Sequence, residues 1–196
     1  MKHSFIFLMI IILFSSCKDS FSNKKKSNNN SHIETQNVEL DSLRYPSEIH
    51  LKNIKQLTFG GDNAEAYWSF DDSKLVFQAK NDNWGALCDQ IYVTAYDNYN
   101  MKNETPKQIS TGLGRTTCSY FLPGDTSIIY ASTHLVDSLC PKEPEKRQDG
   151  KYVWPIYDSF DIFISDLDGN IIKQLTNEIG YDAEATVSPK GDKIVF

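Results

Sequence analysis

One short pattern of strand-forming and turn-forming residues occurs three times in this chain, and that repetition constrains the fold more than any other feature. Ile54-Lys55-Gln56-Leu57-Thr58 recurs as Pro106-Lys107-Gln108-Ile109-Ser110 and again as Ile172-Lys173-Gln174-Leu175-Thr176, with the glutamines 52 and 66 residues apart. A second signature follows each copy. Trp68 to Phe77 (WSFDDSKLVF) and Val187 to Phe196 (VSPKGDKIVF) align without a gap. Tyr120 to Tyr130 (YFLPGDTSIIY) reads as the middle copy with a one-residue insertion. Repeats of this size indicate a solenoid, a propeller or another array of stacked units.

Within the first full unit the sequence predicts four strands, roughly Glu65 to Phe70, Lys74 to Lys80, Gln90 to Tyr96 and Pro106 to Ser110, all dominated by Val, Ile, Tyr and Phe. Between the first two lies an Asp-, Pro- or Gly-rich turn (FDDS, PGDT, PKGD), residues that supply the backbone angles of a tight hairpin. Asp168 and Gly169 close a second hairpin in DIFISDLDGN. No stretch of useful length carries a 3.6-residue period. The expected class is therefore all-β, a β-propeller of four-stranded blades. About two and a half blades are present. Phe196 falls inside a second strand, and a ring needs at least four blades to remove its edges. The chain accordingly reads as an N-terminal fragment of a longer ring, with Asn53 to Phe59 expected as an outer strand supplied to the last blade.

QLT, then A-E-A, then W-S-x-D-x-x-K-L-V-F, then D-I-F-x-x-D-x-D-G is similar to the WD-type propeller repeat of the TolB family, over residues 53–196. The resemblance implies a non-catalytic binding platform whose partners are envelope proteins or peptides. Two other functions are compatible with a ring of this kind. One is the gating propeller of a prolyl-oligopeptidase-type serine hydrolase, which calls for a G-x-S-x-G downstream. The other is a propeller like that of the oligogalacturonate lyases, which calls for a histidine-rich metal site.

The address is written in the first 17 residues. Lys2 precedes a ten-residue apolar run, Phe5 to Phe14. As a helix that run reaches about 15 Å, half of the roughly 30 Å a bilayer core demands, so it reads as a secretory signal. LFSSC resembles the lipobox of bacterial lipoproteins, whose cysteine, here Cys17, is acylated. Residues 18–45 are Ser-, Asn- and Lys-rich at first and read as a flexible tether, leaving 46–196 as the propeller domain. Lys18 and Asp19 loosely resemble a surface-export signal of Bacteroidetes-type lipoproteins. The expected location is the periplasm or outer membrane, with the lipid as the membrane contact. With 20 Lys+Arg against 26 Asp+Glu the chain carries a net −6, so no basic surplus is available for nucleic acid.

The family geometry brings loops from neighbouring blades to one face, and Cys88, Cys118, His134 and Cys140 are expected to share it. Three readings stay open there: one disulfide with one free thiol, three unpaired cysteines, or a Cys3His zinc site. In the first, Cys88 with Cys118 is the preferred pair. The zinc reading has suitable donors but no C-x-x-C spacing, and no cofactor is otherwise expected. Leu135 to Tyr157 is a long insertion, and long loops on rigid scaffolds often carry function. Its Tyr152, Trp154 and Tyr157, with Trp84 from the equivalent loop, would form an aromatic binding surface. Asp62, Glu65, Asp182 and Glu184 at the mouths of the innermost strands would make a negative ring around a channel, able to draw a cation or a basic peptide. No nucleophile elbow, phosphate loop or H-E-x-x-H is present, so no catalytic constellation is assigned.

Overall fold

In the computed structural model of the chain, residues 43–96 and 104–196 are described. Cys17, the signal segment and most of the tether lie outside the described residues. The described residues are all-β, with one short 3-10 turn and no α-helix. The first sheet is an antiparallel meander of β1 (Asp62–Trp68), β2 (Lys74–Asn81), β3 (Ala86–Ala95) and β4 (Lys107–Gln108). The second repeats it with β5 (Thr116–Phe121), β6 (Ser127–Ser132), β7 (Ser159–Asp166) and β8 (Ile171–Gln174). A short β9 (Gly180–Tyr181) runs parallel to the start of β7. The third repeat contributes a hairpin, β10 (Thr186–Val187) with β11 (Ile194–Val195).

The middle strands are buried on both faces, as their largely apolar runs suggest. Register places Val76 opposite Val93 and Phe77 opposite Tyr92 in one sheet, and Ile129 opposite Ile164 and Tyr130 opposite Phe163 in the other. Successive side chains alternate between faces, so each sheet offers two apolar layers. Val76, Ile91 and Val93 meet Phe121, Ile128, Tyr130 and Phe163 between the two sheets. The opposite face of the second sheet, Ile129 and Ile162, packs on Ala185 and Val187 of the third repeat. Each such side chain, fully buried, contributes about 1.5–3 kcal/mol relative to exposure.

Three β-hairpin turns share one geometry. Ser69, Leu122 and Ser188 each donate their N–H to the carbonyl five residues on and accept from the N–H three residues on, at 2.8–3.1 Å. The latter donors are Asp72, Asp125 and Gly191, all left-handed, with φ of 57°, 56° and 70°. The middle turn therefore superimposes residue for residue, and the expected one-residue insertion does not exist. Phe121, not Tyr120, is the counterpart of Trp68, since Phe121 pairs with Ile128 as Trp68 pairs with Leu75.

Two boundaries differ from expectation. β3 begins four residues early, because Asn81 accepts from the Asn83 N–H at 3.0 Å and Gly85 adopts φ 76°, closing the β2–β3 connection within a few residues. Cys88 consequently sits inside a strand and not in a loop. Residues 53–59 form no strand; Leu57 instead packs on the cluster of Phe77, Ala79, Ala86 and Tyr92.

Candidate functional site

The first strands of the two sheets, β1 and β5, each carry a register shift, between Ala64 and Tyr67 and between Thr117 and Tyr120. The residue inside each shift is left-handed: Glu65 (φ 52°) and Cys118 (φ 46°). Glu184 (φ 59°), two residues before β10, is the third copy. A positive φ on a non-glycine residue in a strand is uncommon, and a bulge of this kind re-aims a side chain. Here it gathers Glu65, Cys118 and Glu184 around a hollow of about 250 Å³, with Gln78, Thr117 and Trp154 completing the walls. The Cys118 thiol donates to Glu184 Oε2 at 3.0 Å. Burial, reinforced by that carboxylate, pushes its pKa up to about 12. Tyr67 donates to Glu65 Oε2 at 2.8 Å, and this bond to a carboxylate, with partial burial, raises the phenol to about 12. Gln78 Oε1 accepts from Thr117 Oγ1 at 3.0 Å and from the Cys118 N–H at 3.1 Å, tying the second bulge to the first sheet.

Beside the hollow lies a larger groove of about 1050 Å³. It is lined by the segment from Gln56 to Ala64, by the loop from Glu143 to Pro155, and by the buried Gln78 and Arg115 with Asp89. Trp154 lines both spaces. Gly61 (φ 67°) belongs here because a Cβ would stand 2.3 Å from the Lys80 carbonyl.

The long loop is fixed at several points. Cys140 is disulfide-bonded to Cys88, with Cα atoms 5.5 Å apart. This corrects the expected Cys88–Cys118 pair: the β6–β7 loop reaches back to β3, and Cys118 is a buried free thiol. Glu143 accepts from Arg115 Nη2 at 2.9 Å and stands 3.7 Å from Lys80 Nζ. Arg115, first of these partners, holds the Glu143 carboxyl below its ordinary range. Tyr157 donates to the Lys142 carbonyl at 2.9 Å and lies under the Arg115 guanidinium, 5.9 Å from Cζ to ring centre. Trp154 Nε1 donates to Tyr181 Oη at 2.9 Å. Asp89, 3.5 Å from Arg115 Nε, has its pKa raised by burial, with Arg115 opposing.

The predicted site residues thus sort into separate places. Tyr152, Trp154 and Asp62 line the groove, and Tyr157 supports its loop. Glu65, Cys118 and Glu184 line the hollow. Asp182 is not with them: it neighbours Asp161, and burial, with Asp182 adding to it, raises the Asp161 carboxyl. The four acids therefore do not form one ring. Trp84 does not join the aromatic surface either, because it packs edge-on against Tyr92 and Phe77 at 5.2 and 6.5 Å. His134 rests on Phe163 at 4.5 Å and bonds Ser132 Oγ through Nδ1 at 2.9 Å, and burial lowers its pKa. With two cysteines in a disulfide, the four proposed zinc donors do not converge. Among the described residues no three His, Cys, Asp or Glu side chains form a metal-sized cluster.

Arg115, Asp89, Glu143 and Gln78 were not singled out from sequence. A gap-free alignment of the middle repeat would have flagged Arg115, which stands where the other copies have Asp62 and Tyr181. No protein-family model matches the chain, and no curated protein is significantly similar to it.

Proposed function

We propose that the chain is an exported lipoprotein, acylated at Cys17, whose repeats are blades of a TolB-like β-propeller acting as a non-catalytic binding platform in the cell envelope. The two meanders, with the same hairpin turn and the same left-handed residue at equivalent positions of all three repeats, support the propeller reading. The observation that carries the platform reading is the groove. A long loop is held against the first sheet by a disulfide and the Lys80–Glu143 ion pair, and to Arg115 beside β5 by a second ion pair of Glu143, and its inner side lines a groove of 1050 Å³. Fixing a long loop on a rigid scaffold is how such folds present recognition surfaces. The preferred partners are envelope proteins or peptides.

A photocrosslinking residue placed at Tyr152, 81% exposed at the groove, tests this in intact cells. The control position is Ile172, exposed on outer strand β8. Discrete adducts with an envelope protein from position 152, absent from 172, are expected. Equal labelling from both positions, or none from either, overturns the platform reading.

A further inference from the structure

Arg115 is out of place by the logic of the fold. It is 6% exposed, and the equivalent positions of the other two repeats are Asp62 and Tyr181, so the repeat itself does not require a cation there. Its backbone is clamped: the Arg115 N–H donates to Thr133 Oγ1 and its carbonyl accepts from the Thr133 N–H, both at 3.0 Å. Gly114 (φ 63°) brings this junction so close that a Cβ would lie 2.6 Å from Thr133 Oγ1. The backbone from which the guanidinium projects is thereby held in one position beside the groove.

A buried charge is costly unless paired and hydrogen-bonded. A guanidinium carries five N–H donors in a fork that matches a carboxylate bidentately. Among the described residues its hydrogen-bonding carboxylate is that of Glu143, a single contact, from a side chain 61% exposed on the loop. Nε is buried and makes no hydrogen bond, with Asp89 at 3.5 Å but unaligned for one. The cation thus has spare donors in a groove, and its hydrogen-bonding carboxylate sits on an exposed side chain that a competing carboxylate can reach and replace.

We propose that Arg115 is the carboxylate-recognition residue of the groove and that Glu143 is an internal occupant which an acidic residue of an extended peptide replaces. This rests on the binding-platform reading. The peptide is favoured over an acidic polysaccharide by charge. Asp62, Asp89, Glu143 and Glu145 line the same groove as Lys80, Arg115, Lys146, Arg147 and Lys151. That lining is nearly balanced, five cations against four carboxylates, so a uniform polyanion gains little net attraction from it, whereas a chain with one carboxylate among neutral neighbours can set its single charge on Arg115. β1 also lines the groove and, among the described residues, is paired on one side only, which leaves main-chain groups for an extended strand.

The test uses the full chain with its disulfide formed and two capped pentapeptides, one with a central glutamate and one with glutamine. Binding is followed through the Arg115 Nε–H resonance and by calorimetry. The glutamate peptide shifts the resonance and binds at least tenfold more tightly than the glutamine peptide. Glu143→Gln, which removes the competing carboxylate, tightens the glutamate peptide by about a further tenfold. A purely structural Glu143 predicts the reverse, since its loss would loosen the loop and weaken binding. Equal binding of the two peptides to wild type and to Glu143→Gln overturns the carboxylate site while leaving the platform intact. Binding of neither peptide, or preference for an oligouronate of the same length, overturns the proposal as well. Arg115→Gln is the second variant, expected to abolish the glutamate preference; Glu143→Gln decides the matter even if Arg115→Gln does not fold.

Discussion

Replacing Cys88 and Cys140 together by serine should destabilise the domain by about 4 kcal/mol. The figure follows from the chain entropy that a crosslink removes from the unfolded state, evaluated for a separation of 52 residues. With a urea dependence of about 2 kcal/mol per molar, the unfolding midpoint should fall by about 2 M, and wild type held in reductant should coincide with the double variant. Stability alone does not identify the partner. A Cys88–Cys118 bond, 30 residues apart, differs by only about 0.5 kcal/mol because the separation enters as a logarithm. Mapping has to decide, and trypsin is insufficient: Cys118 and Cys140 lie on one tryptic peptide, 116–142. Chymotrypsin, cutting between them, separates the two. The native Cys118 thiol, with its pKa raised to about 12, should also alkylate at pH 8 about a hundredfold or more slower than an exposed cysteine. A linked peptide containing Cys118, a rapidly alkylated Cys118, or a stability loss below about 1 kcal/mol would refute the assignment.

Two further outcomes are expected. Asp125 accepts from the Phe70 and Asp71 N–H groups at 2.8 and 2.9 Å; Asp125→Gly should therefore cost about 1–2 kcal/mol in urea unfolding, even though glycine suits φ 56° better. Asp166, whose carboxyl is held below the ordinary range first by the Asn170 side chain and then by turn N–H groups, contributes stability that is complete above the ordinary carboxylate pKa. That stability is lost as pH falls toward the depressed value, so Asp166→Ala should flatten the acid limb of a thermal melt recorded from pH 5 to pH 2.

The fold was largely legible because it is written in local chemistry. The Asp- and Gly-rich turns demanded hairpins, and the runs through Val76, Ile129 and Ile162 demanded buried central strands. What escaped was set by contacts distant in sequence. Cys88 has feasible partners at 30 and 52 residues, and only the path of the 133–158 loop chooses between them. Trp84 looks like a loop aromatic until the tight Asn81–Gly85 turn lays it on Tyr92. Asp182 resembles Asp62 in sequence, yet in register the counterpart of Asp62 is Tyr181, and Asp182 falls one residue later, just after β9. Arg115 stands out only when the middle repeat is aligned without a gap, opposite Asp62 and Tyr181, and its burial is a property of its neighbours.

The bulge residues show why the repeat reveals architecture more readily than function. Glu65, Cys118 and Glu184 share one left-handed backbone state, a strain of about 1–2 kcal/mol for a residue bearing a Cβ. Glycine would relieve it at all three positions, yet none of the three is glycine. The side chains therefore return something for the strain. Two of them do so visibly: Glu184 accepts the thiol of Cys118, and Glu65 accepts the phenol of Tyr67. The repeat fixes where these three side chains point, and their identities are free to differ from one repeat to the next. A site built this way need not repeat its chemistry when it repeats its geometry. The same holds one turn away, where Asp62, Arg115 and Tyr181 occupy one structural position and only Arg115 places a buried cation at the groove. Arg115, a departure whose buried cation the repeat itself does not require, is where the proposed binding is most directly tested.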